Sequence, residues 1–216
     1  MRKLKITEMG RMNVEEFKSS EKMPLVVVLD DVRSMYNVGS VFRTSDAFRV
    51  EAIYLCGITA QPPHPEIHKT ALGAEDTVEW RYFKDTMEAV EDLKARGYFV
   101  YSIEQCEGST KLQNLSPITT EGGSHPGQGE KDNSSSVKSC VSGENIPHSS
   151  FLIPHSKKYA IIMGNEVKGV KQEVVNASDG CLEIPQFGTK HSLNVSTTAG
   201  MVIWEFAKML IIAPSI

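Results

Sequence analysis

Cysteine is scarce and unpaired in this chain: Cys56, Cys106, Cys140 and Cys181 stand far apart, with no C-x-x-C among them. That excludes a disulfide framework or a local zinc motif and suits buried or idle thiols in a reducing compartment. Basic excess is missing too. With 23 Lys and Arg against 27 Asp and Glu, the net charge is −4, so any surface meeting nucleic-acid phosphates has to be a local patch. No stretch approaches the ~20 apolar residues of a membrane span. Met1 to Met23 is charged throughout and has no apolar segment, so no signal peptide is expected and the expected compartment is cytoplasmic. The patterns G-x-G-x-x-G, G-x-x-x-x-G-K-[ST] and G-x-S-x-G do not occur, which removes a Rossmann dinucleotide site, a P-loop and a hydrolase elbow. His64 and His68 have a metal-compatible spacing. Pro62, Pro63 and Pro65 argue against a regular helix across them, and no third ligand lies near in sequence, so no metal is expected.

What is present reads as an α/β protein. At 216 residues and 40% hydrophobic content, one domain with a real core is expected. Leu25 to Leu29 (LVVVL) and Tyr159 to Met163 (YAIIM) are short apolar runs suited to strands buried on both faces of a parallel sheet. A helix is expected after the first, with Asn37 as its N-cap and Val38, Val41, Phe42, Ser45 and Phe48 inward. Further strands are expected near Ala52 to Cys56, Thr77 to Tyr82, Tyr98 to Ile103 and Cys181 to Ile184. Asp85 to Arg96 reads as a helix stopped by Gly97, and a further helix ends near Ala177. Ala199, Val202, Ile203, Phe206 and Leu210 mark the apolar stripe of a last helix, which Ser192 is placed to cap. The segment Thr119 to Ser150 is dominated by Gly, Ser and charged residues and reads as a mobile insertion that cannot build a core.

Three polar, glycine-containing loops follow strands: Asp30 to Arg43, Gly164 to Gly169 and Ile184 to Ser196. Ligands of open parallel sheets bind beyond the carboxyl ends of strands, so three such loops are expected to converge on one pocket. Gly39, one turn before Arg43, leaves space for something to approach the guanidinium. Glu166 near a helix start also answers a helix dipole.

Asn37 to Arg43 (NVGSVFR), Met163 to Gly169 (MGNEVKG) and Ile184 to Ser196 (IPQFGTKHSLNVS) together resemble the three motifs of the TrmH (SpoU) branch of the SPOUT RNA methyltransferases. Lys69 to Glu75 (KTALGAE) is similar to that branch as well, and the resemblance spans roughly Leu25 to Leu210. It implies a mostly parallel sheet flanked by helices, with a C-terminal deep trefoil knot. It implies a homodimer with its active site at the subunit interface, no membrane and no metal. The expected donor is S-adenosyl-L-methionine, held by the main chains of Gly164, Ile184 and Leu193. The expected acceptor is a ribose 2′-hydroxyl of structured RNA, tRNA or rRNA. Arg43 matches the catalytic arginine, and Asn37, Glu166, Ser192 and Asn194 match the polar groups around it, with Glu166 expected to orient Arg43. On this reading residues 1–23 are an N-terminal extension and residues 24–216 one methyltransferase domain, whose Thr119 to Ser150 insertion departs from the compact family core. A knotted RNA-binding protein without catalysis, and a relative methylating the wobble ribose or a base, stay open as alternatives.

Overall fold

The computed structural model describes residues 1–5, 8–115 and 158–212; the segment from Thr119 to Ser150 lies outside the described residues. In chain order the regular elements are α1 (Val14–Ser19), β1 (Met23–Asp30), α2 (Met35–Ala47), β2 (Val50–Cys56), α3 (Pro65–Ala71), β3 (Glu79–Phe83), α4 (Thr86–Ala95) and β4 (Tyr98–Ile103). After β4 come β5 (Thr110–Lys111), β6 (Lys158–Met163), α5 (Gln172–Ala177), β7 (Gly180–Glu183) and α6 (Val195–Ala207), which runs on into a π-helical turn over Lys208–Ile212. The strands form one sheet of order β3-β2-β1-β6-β4-β7-β5, and every pairing in it is parallel.

The period of two along β1 explains the two cores. Leu25, Val27 and Leu29 face α2, α3 and α6, while Val26 and Val28 face α4 and α5; all five are buried. Phe42 on α2 and Phe206 on α6 are fully covered, each contributing about 1.5–3 kcal/mol by burial. Gly39 lets α2 and α3 touch: a Cβ there would lie 2.2 Å from both Ile67 O and Thr70 Oγ1. The space beside Gly39 is thus filled by α3, which corrects the expectation that it is left open for an approach to the Arg43 guanidinium.

Several caps differ from expectation. Ser34, not Asn37, caps α2 by accepting from the Asn37 N–H; Asn37 sits inside the first turn with its side chain directed elsewhere. Asn194, not Ser192, caps α6, its Oδ1 accepting from the N–H groups of Ser196 and Thr197. A helix does begin at His64, because Pro65 takes the first helical position, where no N–H is needed, and the His64 ring accepts from the Glu66 N–H. Asp85 caps α4, and Gly97 follows it at φ 80°, as its sequence position predicts. The apolar stretch Val195–Ile212 is 18 residues, long and apolar enough to cross a membrane by length and composition, which corrects the expectation that no such stretch exists. Val202, Ile203 and Phe206 within it are buried against the sheet, and Lys208 pairs with Glu205 at 2.6 Å. Wide sequence spacing also hid a contact between thiols: Cys106 and Cys181, both free, lie with sulfurs 3.1 Å apart.

Candidate functional site

A cavity of about 470 Å³ opens at the carboxyl ends of β4, β6 and β7. The order β1-β6-β4-β7 makes these ends neighbours, so the loops leaving them meet. Gly164, Glu166, Ile184, Ser192 and Leu193 all line it, so five of the expected site residues come together. Arg43 does not line it.

The loop after β6 is shaped by its own backbone. Asn165 and Gly169 exchange N–H···O bonds of 3.0 and 2.9 Å, folding the segment back on itself. A Cβ on Gly164 would lie 2.1 Å from the Gly169 carbonyl carbon and 2.2 Å from Val170 N, so only glycine permits this closure. Asn165 steadies the loop twice. Its Oδ1 accepts from the N–H groups of Val167 and Lys168, and its Nδ2 donates to Asp31 O at 2.8 Å, tying the loop to the end of β1.

Glu166 gathers the loop after β1. Its two carboxylate oxygens accept from the Arg33 N–H and the Ser34 N–H, both at 3.0 Å, and from Asn37 Nδ2 at 3.1 Å. Burial works to raise its pKa, but the bonds from Arg33 and Ser34, with that from Asn37, outweigh it and hold the carboxyl below the ordinary glutamate value. Asn37 Oδ1 in turn accepts from Asn194 Nδ2 at 3.0 Å, so Glu166, Asn37 and Asn194 form one chain of bonds across the three expected loops. Within one subunit no hydrogen bond or ion pair links Glu166 to Arg43; the Glu166 carboxylate is taken up by donors at the start of α2. Arg43 lies six residues beyond Asn37, about 9 Å along the helix, and is exposed.

Beneath these loops, a second cluster anchors the start of α5. Buried Asp30 accepts from Thr86 Oγ1 at 2.5 Å and from Lys171 N at 3.3 Å, while Lys171 Nζ reaches Asp31 at 2.8 Å. The bond to Asp31, against the opposing effect of burial, raises the Lys171 pKa. Sequence reasoning missed Asn165, Asp30 and Lys171, although the Asp30-Asp31 pair directly after an apolar run was visible. It also missed Ile103, Glu104 and Gln105, which line the cavity beside the loops after β6 and β7; no residue of the Asp30 to Arg43 loop lines it, which corrects the expected convergence of three loops on one pocket.

His64 and His68 do not share a ligand. His64 caps α3, and His68 Nδ1 meets the Glu75 carboxylate at 2.5 Å. Among the described residues no group of three or more His, Cys, Asp or Glu is placed to hold a metal ion.

The lining combines apolar Ile184, Leu193 and Val170 with the carboxylate-bearing residues Glu104 and Glu166. Residues 24–204 match the family model described as the SpoU rRNA Methylase family. A tRNA (guanosine(18)-2′-O)-methyltransferase of Thermus thermophilus is 25% identical over 199 residues, covering 92% of this chain and 82% of that protein. A 23S rRNA (guanosine-2′-O-)-methyltransferase of Neisseria meningitidis is 27% identical over 182 residues, covering 84% of this chain and 57% of that protein. The solved structure of an AdoMet-bound rRNA methyltransferase from Sinorhizobium meliloti superposes with a TM-score of 0.63 at 23% identity, covering 87% of this chain and 57% of that one. The chain thus spans little more than half the length of the Neisseria and Sinorhizobium proteins.

Proposed function

The chain belongs to the SpoU rRNA methylase family, and from that premise we propose that it methylates a ribose 2′-hydroxyl of structured RNA, tRNA or rRNA, in the cytoplasm, with S-adenosylmethionine as donor. One observation carries this reading: the loops holding Gly164, Ile184 and Leu193 wall a single cavity at the sheet's carboxyl edge. The bound donor supplies a methyl group activated by a positive sulfonium. Gly164, Ile184 and Leu193 offer main-chain N–H and C=O groups for its polar edges, and the side chains of Ile184 and Leu193 cover its apolar surface.

Arg43 has a separate task. Its side chain is exposed and lies outside the cavity of its own subunit. Its fixed charge is suited to stabilise the alkoxide that develops on the ribose oxygen, while water or phosphate takes the proton. Its distance from its own cavity supports a homodimer in which it serves the partner's site. Phe187 is 97% exposed and Met201 and Trp204 are exposed on α6, which supports an apolar face covered by a second copy. Ser192 and Asn194 shape the loop from which Leu193 projects. A knotted crossing of the chain through residues 184–212 belongs to this reading.

Total RNA from a deletion strain, compared with the parent by mass spectrometry of 2′-O-methylated nucleosides, tests the proposal. Loss of one such nucleoside, restored by the purified protein with S-adenosylmethionine, is expected. An unchanged nucleoside profile together with no methyl incorporation in vitro would sink it.

A further inference from the structure

We propose that Glu104 is a positioning residue for the donor cavity: its carboxylate and its main-chain N–H hold the loop after β6 and the end of β7 at the spacing the donor requires. This rests on the donor reading of that cavity. In the sheet, β4 lies between β6 and β7, so the loop leaving β4 at Glu104 emerges between the two loops that form the cavity's main walls. Glu104 reaches both. Its N–H donates to Leu182 O at 3.1 Å, and its Oε2 accepts from the Val170 N–H at 3.1 Å, while Oε1 accepts from the Gln105 N–H at 2.9 Å. Gln105 extends the bracing further along the loop after β7, its Nε2 donating to His191 O at 3.4 Å.

The fit between Glu104 and the neighbouring loop is steric as well as polar. Gly169 has φ 69°, and a Cβ placed on it would lie 2.1 Å from Glu104 Oε2. The glycine that closes the loop against Asn165 therefore also makes room for the carboxylate, which takes up the Val170 N–H just beyond that closure. A carboxylate accepting from backbone N–H groups makes stronger bonds than a neutral acceptor. Removing it leaves the Val170 N–H, in a partly buried position, without that partner. The loop that carries Gly164 is then free to open away from the cavity.

The test uses the full chain and three measurements: S-adenosylmethionine affinity by calorimetry, amide exchange at Val170, and turnover at saturating donor. For Glu104→Ala, affinity is expected to fall roughly ten- to a hundredfold, Val170 to exchange faster, and saturated turnover to change much less. Glu104→Gln keeps one acceptor oxygen of the two and is expected to lie between Glu104→Ala and the parent. The inference is overturned if Glu104→Ala binds the donor within about twofold of the parent. It is equally overturned if thermal stability and turnover fall while affinity per folded molecule stays unchanged, since Glu104 is then structural only. Should Glu104→Ala not fold, Glu104→Gln decides: parent-like affinity and Val170 exchange overturn the inference, and a shift in both supports it. Failure of the unsubstituted protein to bind S-adenosylmethionine would instead remove the donor reading, and the inference with it, before any variant is made.

Discussion

Glu166 and Arg43 were expected to act as a pair, and their separation gives each its own test. Glu166 neutralises donors at the start of α2, with the Arg33 and Ser34 N–H groups and Asn37 Nδ2 around one carboxylate. Glu166→Gln keeps the shape but loses the charge. It is expected to cost about 1 kcal/mol in urea unfolding, discounted for partial exposure, and to weaken donor affinity by loosening the Asn37 link. The pH dependence follows from the direction of the shift. Burial opposes the charge, but the hydrogen bonds outweigh it and lower the folded-state pKa below the ordinary 4.5, so the contribution is fully present above that value. It is lost as pH falls below 4.5 through the lower folded value. The stability gap between parent and Glu166→Gln should therefore be flat from neutral pH to about 5 and shrink on further acidification, as urea melts across that range will show. Arg43 answers to a different measurement. If a planar guanidinium stabilises the alkoxide, Arg43→Lys should lower turnover about a hundredfold with donor affinity unchanged. Near-normal turnover with a matching shift of the pH profile would overturn this role and mean that the side chain at position 43 takes the ribose proton itself.

At the scale of elements, two contacts decide how the walls of the site are set. The α2–α3 crossing depends on Gly39, where a Cβ would strike the Ile67 carbonyl, a backbone atom with nowhere to go. Gly39→Ala is expected to destabilise the fold by about 3 kcal/mol, measured by denaturant midpoint, because α3 must shift. The start of α6 depends on Asn194, which caps the helix through Oδ1 and reaches Asn37 through Nδ2. Two substitutions separate these jobs. Asn194→Asp keeps the cap and should leave stability nearly unchanged, whereas Asn194→Ala should lose about 1 kcal/mol. Both should impair turnover if the bond to Asn37 matters; full turnover in Asn194→Asp would confine Asn194 to capping. These elements also mark how far the sequence was legible. Strands such as Tyr98–Ile103 and the Gly97 stop of α4 follow from local apolar runs and from a glycine at positive φ, so they were readable. The caps were not, because Ser34 and Asn37, or Ser192 and Asn194, offer equally good side chains, and tertiary bonds to Glu166 and across to Asn194 choose between them. The expected cavity residues Gly164, Glu166, Ile184, Ser192 and Leu193 were readable through their strand-end loops. Glu104 was not, since nothing local says that β4 enters the sheet between β6 and β7.

For the whole molecule, the question is whether one subunit holds a complete site. Within a single chain the donor cavity and Arg43 are separated along α2, with the Glu166–Asn37–Asn194 chain of bonds at the cavity end and Arg43 exposed beyond it. Exposed Phe187, Met201 and Trp204 provide an apolar face for a second copy, and a twofold axis there would repeat every contact in both directions. A mixing experiment separates the two arrangements. One subunit carries Arg43→Ala, and the other carries Gly164→Ala, whose new Cβ would push into the Gly169–Val170 backbone and spoil the cavity. Each variant alone should be nearly inactive, whichever subunit Arg43 serves. After unfolding and refolding an equal mixture, half the dimers are mixed. If Arg43 serves the partner's cavity, each mixed dimer has one site built from an intact cavity and an intact arginine, and activity should return to about a quarter of the parent's. If Arg43 serves its own cavity, no mixed dimer contains an intact site and activity stays at the level of the separate variants. Native mass spectrometry of the refolded mixture, run beside the assay with the two subunits carrying tags of different mass, confirms that mixed dimers formed, so that silence in the assay counts against the shared site rather than against assembly.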